Sequence, residues 1–121
     1  VAIWEKFIKE FPDVYDHVQY DVAVGSLPPF DPTVNDVTGG SVEKLYRRKI
    51  DVIGFKLDQI DIIEVKPNAG TSAIGQVLGY KELYKQDLTP PVEPKAIIVT
   101  DRLGPDMAQL AAKMGVLLVV V

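Results

Sequence analysis

The sequence predicts an α/β fold: a single domain over residues 1–121 with one central mixed sheet flanked by helices, in the order α-β-β-β-α-β-α-β. Three observations predict it. Alternating apolar and polar residues mark strands between positions 18 and 66, and segments with helical spacing lie on either side of them. The last third carries two short apolar runs around a helical one, the pattern of a βαβ unit with buried parallel strands.

The elements follow in order. Residues 3–11 set Ile3, Trp4, Phe7, Ile8 and Phe11 at helical spacing, with Glu5, Lys6 and Lys9 on the other face, before Pro12 and Asp13 stop the helix. Residues 18–24 alternate as a half-buried strand does, with Val18, Tyr20, Val22 and Val24 on one side. Residues 25–40 hold three prolines and three glycines and read as a loop. Arg48–Phe55 and Ile60–Lys66 are two strands, and the short polar turn between them predicts an antiparallel hairpin. Pro67, Asn68 and Gly70 break the second. Thr71 or Ser72 then caps a helix running to about Gln86, with Ile74, Val77, Leu78 and Leu83 on its apolar side. Gly75 and Gly79 lie four apart on that helix, which suggests close packing on the sheet. After a proline-rich linker, Lys95–Thr100 is a buried strand, Pro105–Met114 a helix and Val116–Val121 a further buried strand.

Composition narrows the function classes. A hydrophobic fraction of 47% and a charged fraction of 25% are ordinary for a soluble globular protein. With no cysteine there is no disulfide and no thiolate zinc site, which fits an intracellular, cytoplasmic chain. No apolar run approaches the roughly 20 residues of a membrane span, so no membrane partner is expected. The chain opens Val-Ala-Ile-Trp without signal-peptide organisation, and a start without Met suggests a processed or trimmed chain. The net charge of −4 argues against coating nucleic acid by bulk attraction, yet it allows carboxylates that hold a cation. Lys44, Arg47, Arg48 and Lys49 form a basic group at the entry to a strand: either a solvated strand entry or a phosphate-contacting patch.

The chemistry concentrates in Arg48-Lys-Ile-Asp-Val-Ile-Gly-Phe55 and Ile60-Asp-Ile-Ile-Glu-Val-Lys66. Alternation puts Ile62, Glu64 and Lys66 on one face of their strand, and Asp51 sits between Ile50 and Val52 on the neighbouring one. Charges in such apolar settings are costly unless paired or bound to metal. Two carboxylates suit a hard cation such as Mg2+ or Mn2+, and a lysine beside them suits the orientation of a water against a phosphodiester. A Glu-x-Lys triplet alone recurs by chance; a strand-borne triplet, an Asp thirteen residues earlier and a helix directly after it make the combination specific. The bland alternative is a structural salt bridge.

At these residues the chain resembles the PD-(D/E)XK nuclease superfamily, the restriction-endonuclease-like fold. Asp51 matches the first acid and Glu64-Val65-Lys66 the second part of its pattern, although Ile50 stands where the family name has proline. The resemblance implies an α-β-β-β-α-β core, with residues 101–121 as a C-terminal α-β extension. Gln76-Val-Leu-Gly-Tyr80 resembles the Q-x-x-x-Y element of some branches, and its ends share a helix face. Helix amphipathicity alone also places Tyr80 near the core. The family often carries a further Glu on its first helix, for which Glu5 and Glu10 are the candidates. The resemblance further implies that the Val65 carbonyl completes a metal shell.

The function expected is therefore a metal-dependent nuclease hydrolysing DNA phosphodiester bonds. Asp51 and Glu64 bind Mg2+ or Mn2+, Lys66 positions the attacking water, and Gln76 and Tyr80 support the site. Arg47, Arg48 and Lys49 contact DNA, with the 25–47 loop as recognition element, in a homodimer or larger assembly. The alternatives are a catalytically inactive nucleic-acid-binding or assembly module on the same fold, and a non-enzymatic α/β protein. His17, in a connecting segment, and Asp101-Arg102, in a turn, rank lower. The Asp31/Asn35/Asp36 group lacks the spacing of a calcium loop.

Overall fold

Where the apolar period changes from 3.6 to 2, the chain passes from helix to strand. The computed structural model describes residues 2–25 and 48–121; the predicted loop from residue 26 onward, the Asp31/Asn35/Asp36 group, Lys44 and Arg47 lie outside the described residues. Helix α1 (Ala2–Glu10) buries Phe7 and ends one residue earlier than its periodicity suggests. Phe11 precedes Pro12, and that position disfavours helical backbone.

Five strands form the sheet: β1 (His17–Val24), β2 (Arg48–Lys56), β3 (Gln59–Val65), β4 (Lys95–Thr100) and β5 (Val116–Val120), in the spatial order β1-β2-β3-β4-β5. The first two pairings are antiparallel and the last two parallel. Strand β3 is thus antiparallel to one neighbour and parallel to the other. The β2–β3 hairpin closes at Lys56↔Gln59, with Leu57 at a φ of 52° and its N–H donating to Asp16 Oδ2 at 3.2 Å.

Each face of the sheet has its own core. On one, Ile53, Ile62 and Ile98 meet Ile74 and Val77 of α2 (Thr71–Leu88) and Met107 and Ala111 of α3 (Met107–Lys113). On the other, Val52, Ile63, Ile97 and Val99 meet Phe7 of α1. Burying each such side chain contributes about 1.5–3 kcal/mol relative to leaving it in water. Strand β2 departs from strict alternation at one place: Ile50 joins Ile53 in the first core while Val52 joins the second. Asp51 lies in that break. Opposite it, the β1–β2 register passes over Asp21, which has a φ of 52°.

Several expectations need correcting. The N-cap of α2 is Gly70, without a side-chain cap hydrogen bond, so neither Thr71 nor Ser72 caps it. The helix runs to Leu88, where its last turn closes on Thr89. Gly75 and Gly79 are exposed, and a Cβ at either would meet nothing within 4 Å; they do not bring the helix close to the sheet. Helix α3 starts at Met107, because Asp106 before it takes a left-handed φ of 63°. Strand β5, expected to be buried, is covered on neither side at Leu117 and Val120, since it forms one edge of the sheet among the described residues. His17 is the first residue of β1, stacked on Phe55.

Candidate active site

The two carboxylates meet because a ladder ends. The β2–β3 register stops at Val52↔Ile63, and one further step sets Asp51 opposite Glu64. The Lys66 N–H points to β4, where it donates to the Val99 carbonyl at 3.0 Å. Along a strand these groups alternate in direction, so the Val65 N–H points back to β2. Asp51 Oδ2 accepts it there at 2.9 Å, in place of a strand partner. The C=O of an extended residue leaves on the same edge as its N–H, which aims the Val65 carbonyl at the same side.

Glu64 faces the core under α2 and is only 7% exposed. Burial, then the Asp51 carboxyl within hydrogen-bonding reach and its charge, push Glu64 up to about 8; Lys66 pulls it back. Two carboxyls share a hydrogen bond only while one is protonated, and Glu64 Oε2 has no hydrogen-bond partner among the described residues. A buried oxygen without a donor beside a second carboxylate is what a cation would satisfy. The donor set, two carboxylates and a carbonyl, fits Mg2+ or Mn2+ chemically.

Around this pair the structure gathers some of the expected residues. Lys66, one residue beyond the end of β3, is half-buried, lies within electrostatic reach of Glu64 and makes no ion pair among the described residues. Tyr80 packs partly buried against the core beneath α2. Burial, then the charges of Glu64 and Asp51, raise its hydroxyl above the ordinary tyrosine value, while Arg48 opposes them. Arg48 is thus within electrostatic reach of the Tyr80 hydroxyl. Gln76 lies one turn before Tyr80, half-buried, with no side-chain hydrogen bond among the described residues. Lys49 is exposed opposite Ala23 on β1, and Arg47 is outside the described residues. Glu5 and Glu10 are exposed on α1, which packs on the opposite face of the sheet from Glu64. Neither joins the carboxylate pair: among the described residues no third acid or histidine completes a metal-binding group.

Two side chains escaped the sequence reading. Asp61 is 2% exposed and accepts hydrogen bonds from the Tyr15 hydroxyl at 2.6 Å and from Gln59 Nε2 at 3.0 Å. Its place in an Ile-Asp-Ile run was the available signal. Thr100 is fully buried and accepts the Ala69 N–H at 3.1 Å. A polar residue closing an apolar strand was the only hint of it.

No family model matches the sequence, and no curated protein matches it. Solved structures do. The fold is similar over 99% of this chain to a repair endonuclease from Pyrococcus abyssi, at 20% identity and a TM-score of 0.58, with 46% of that chain covered. It is similar over 99% of this chain to EndoMS in a complex with double-stranded DNA, at 18% identity and a TM-score of 0.57, with 43% of that chain covered. A third structure, of a protein of unknown function, is similar over 93% of this chain at 13% identity and a TM-score of 0.59, with 53% of that chain covered. This chain thus spans about half or less of the length of each, and the likeness is one of fold.

Proposed function

From the restriction-endonuclease-like fold that this chain has, we propose that it is a metal-dependent nuclease hydrolysing DNA phosphodiester bonds. The observation that carries the proposal is the convergence of Asp51 and Glu64 on one face of the sheet, with an unsatisfied buried oxygen between strand and helix. Asp51 and Glu64 would hold Mg2+ or Mn2+, and the carbonyl of Val65 is the third oxygen aimed at them. When bound, the cation supplies positive charge against the phosphate and makes water a better nucleophile.

The chain's own groups do the rest. Lys66 donates from its ammonium to orient the attacking water and offset charge developing on the phosphate. Tyr80, its hydroxyl held in the protonated form, is a hydrogen-bond donor at neutral pH. Gln76 on the same helix face supports the site or touches the DNA backbone. Arg48, with Arg47 and Lys49, contacts phosphates at the entry to β2. Among the described residues no helix is long and apolar enough to cross a membrane, and the proposed setting is intracellular DNA. DNA is the proposed partner, in line with EndoMS and its duplex, and a homodimer or larger assembly is the proposed working form.

Cleavage of plasmid and branched DNA with Mg2+ or Mn2+ tests this reading. Asp51→Asn and Glu64→Gln are each expected to lower cleavage by about 100-fold or more, with the fold intact by circular dichroism. Lys66→Ala should lose activity and keep metal binding. A parental rate in either carboxylate variant would remove the site assignment. Binding without cleavage across substrates and metals would instead identify an inactive nucleic-acid-binding or assembly module.

A further inference from the structure

The turn that carries Lys66 is fastened to the far end of β4. Its backbone bonds run there in sequence: Lys66 N–H to the Val99 carbonyl at 3.0 Å, Asn68 N–H to Asp101 Oδ1 at 2.8 Å, and Ala69 N–H to the Arg102 carbonyl at 2.9 Å and Thr100 Oγ1 at 3.1 Å. The Ala69 carbonyl accepts the Gly104 N–H at 2.8 Å, and Ala69 pairs with Leu103 in an isolated parallel bridge. Thr100 is fully buried, and its hydroxyl donates to the Arg102 carbonyl at 3.0 Å while it accepts from Ala69. One side chain therefore joins two loops. Asn68 takes a φ of 47° within this turn, a conformation held because the surrounding bonds over-determine it.

A turn pinned at Lys66, Asn68 and Ala69 does not drift, and Lys66 stands at its first residue. We propose that Thr100 and Asp101 are positioning residues for Lys66: by holding the 66–70 turn against β4 they fix the ammonium relative to the Asp51–Glu64 pair. This rests on the reading of Lys66 as the group that orients water. Neither residue touches the carboxylates. Both act through the backbone, Thr100 from the last residue of β4 and Asp101 from the residue after it.

Misplacing a catalytic group by a fraction of an ångström is felt in turnover more than in binding. Thr100→Val keeps the shape and removes the hydroxyl. Its kcat on plasmid DNA with Mg2+ is expected to fall by about 10-fold, with KM for DNA and the Mg2+ affinity within about two-fold of the parent. Thr100→Ser restores the hydroxyl and should restore kcat. In the metal-free protein, amide exchange at Asn68 and Ala69 should quicken by about 10-fold in the Val variant. Should Thr100→Val not fold, Asp101→Ala carries the test, since Asp101 is exposed; its loss of kcat should be rescued by Asp101→Asn, whose amide oxygen still accepts the Asn68 N–H. A folded Thr100→Val or Asp101→Ala protein with parental kcat overturns the proposal. So does a loss confined to KM or metal affinity, or one that the conservative variant does not rescue. If the parent itself cleaves no DNA with any divalent cation, the nuclease reading fails first; the exchange data then still report whether the turn is pinned, and unchanged exchange would refute that as well.

Discussion

Glu64 binds its proton more tightly in the folded chain than in the unfolded one, and that has a sign. Its carboxyl is pushed from an ordinary 4.5 up to about 8 by burial and by Asp51. Between those values the metal-free folded state holds a proton that the unfolded state has released, so stability falls as pH rises through this window. One such proton gives a slope of at most about 1.4 kcal/mol per pH unit. Urea unfolding in a chelator at pH 5, 6, 7 and 8 should show that decline, and Glu64→Gln should flatten it. Parallel profiles for parent and variant would mean that Glu64 is not the titrating group. A divalent cation must displace the same proton, so its affinity should rise with pH toward 8, which calorimetric titration reads directly.

At the scale of elements, α2 offers a separate check. Gly75 and Gly79 sit in its exposed interior, and an added Cβ would meet nothing within 4 Å. Each glycine costs the helix roughly 0.5–1 kcal/mol relative to alanine. Gly75→Ala and Gly79→Ala should each raise stability by about that amount in thermal unfolding; a loss would show that the helix needs that face bare. The same helix shows where sequence reading stops. Its existence and its apolar side at Ile74 and Val77 were legible from a 3.6 period. The reason for its glycines was not, because spacing says which residues share a face and not which neighbour, if any, covers it. The strands behave alike. Alternation placed Glu64 with Ile62, and Glu64 lies within electrostatic reach of Tyr80, which packs against the cluster that holds Ile62. Alternation could not reveal the break in β2 at Asp51, nor that Asp51 takes the Val65 N–H, because both arise where two strands stop pairing. Lys66 was read as a strand residue and lies just past the strand end, in a turn whose position depends on Thr100, more than thirty residues downstream. No local pattern encodes that dependence.

For the molecule as a whole, charge sets the terms on which the proposed DNA partner would bind. A net −4 repels a polyanion, and the negative charge left on the Asp51–Glu64 pair adds to the repulsion where the phosphate would sit. Without metal, Asp51→Asn is therefore expected to bind duplex DNA as tightly as the parent or up to about five-fold tighter, since one charge at close range in a wet site is worth about 1 kcal/mol. Fluorescence anisotropy in a chelator checks it; a weaker complex would show that Asp51 contacts DNA by some route other than a cation.

Strand β3 has unlike neighbours, running against β2 and alongside β4. Sliding it by a single residue would break two ladders at once and turn Glu64 out of its pocket toward the α1 side. A sheet misaligned by one residue would therefore lack the Asp51–Glu64 pair on which the proposed chemistry rests.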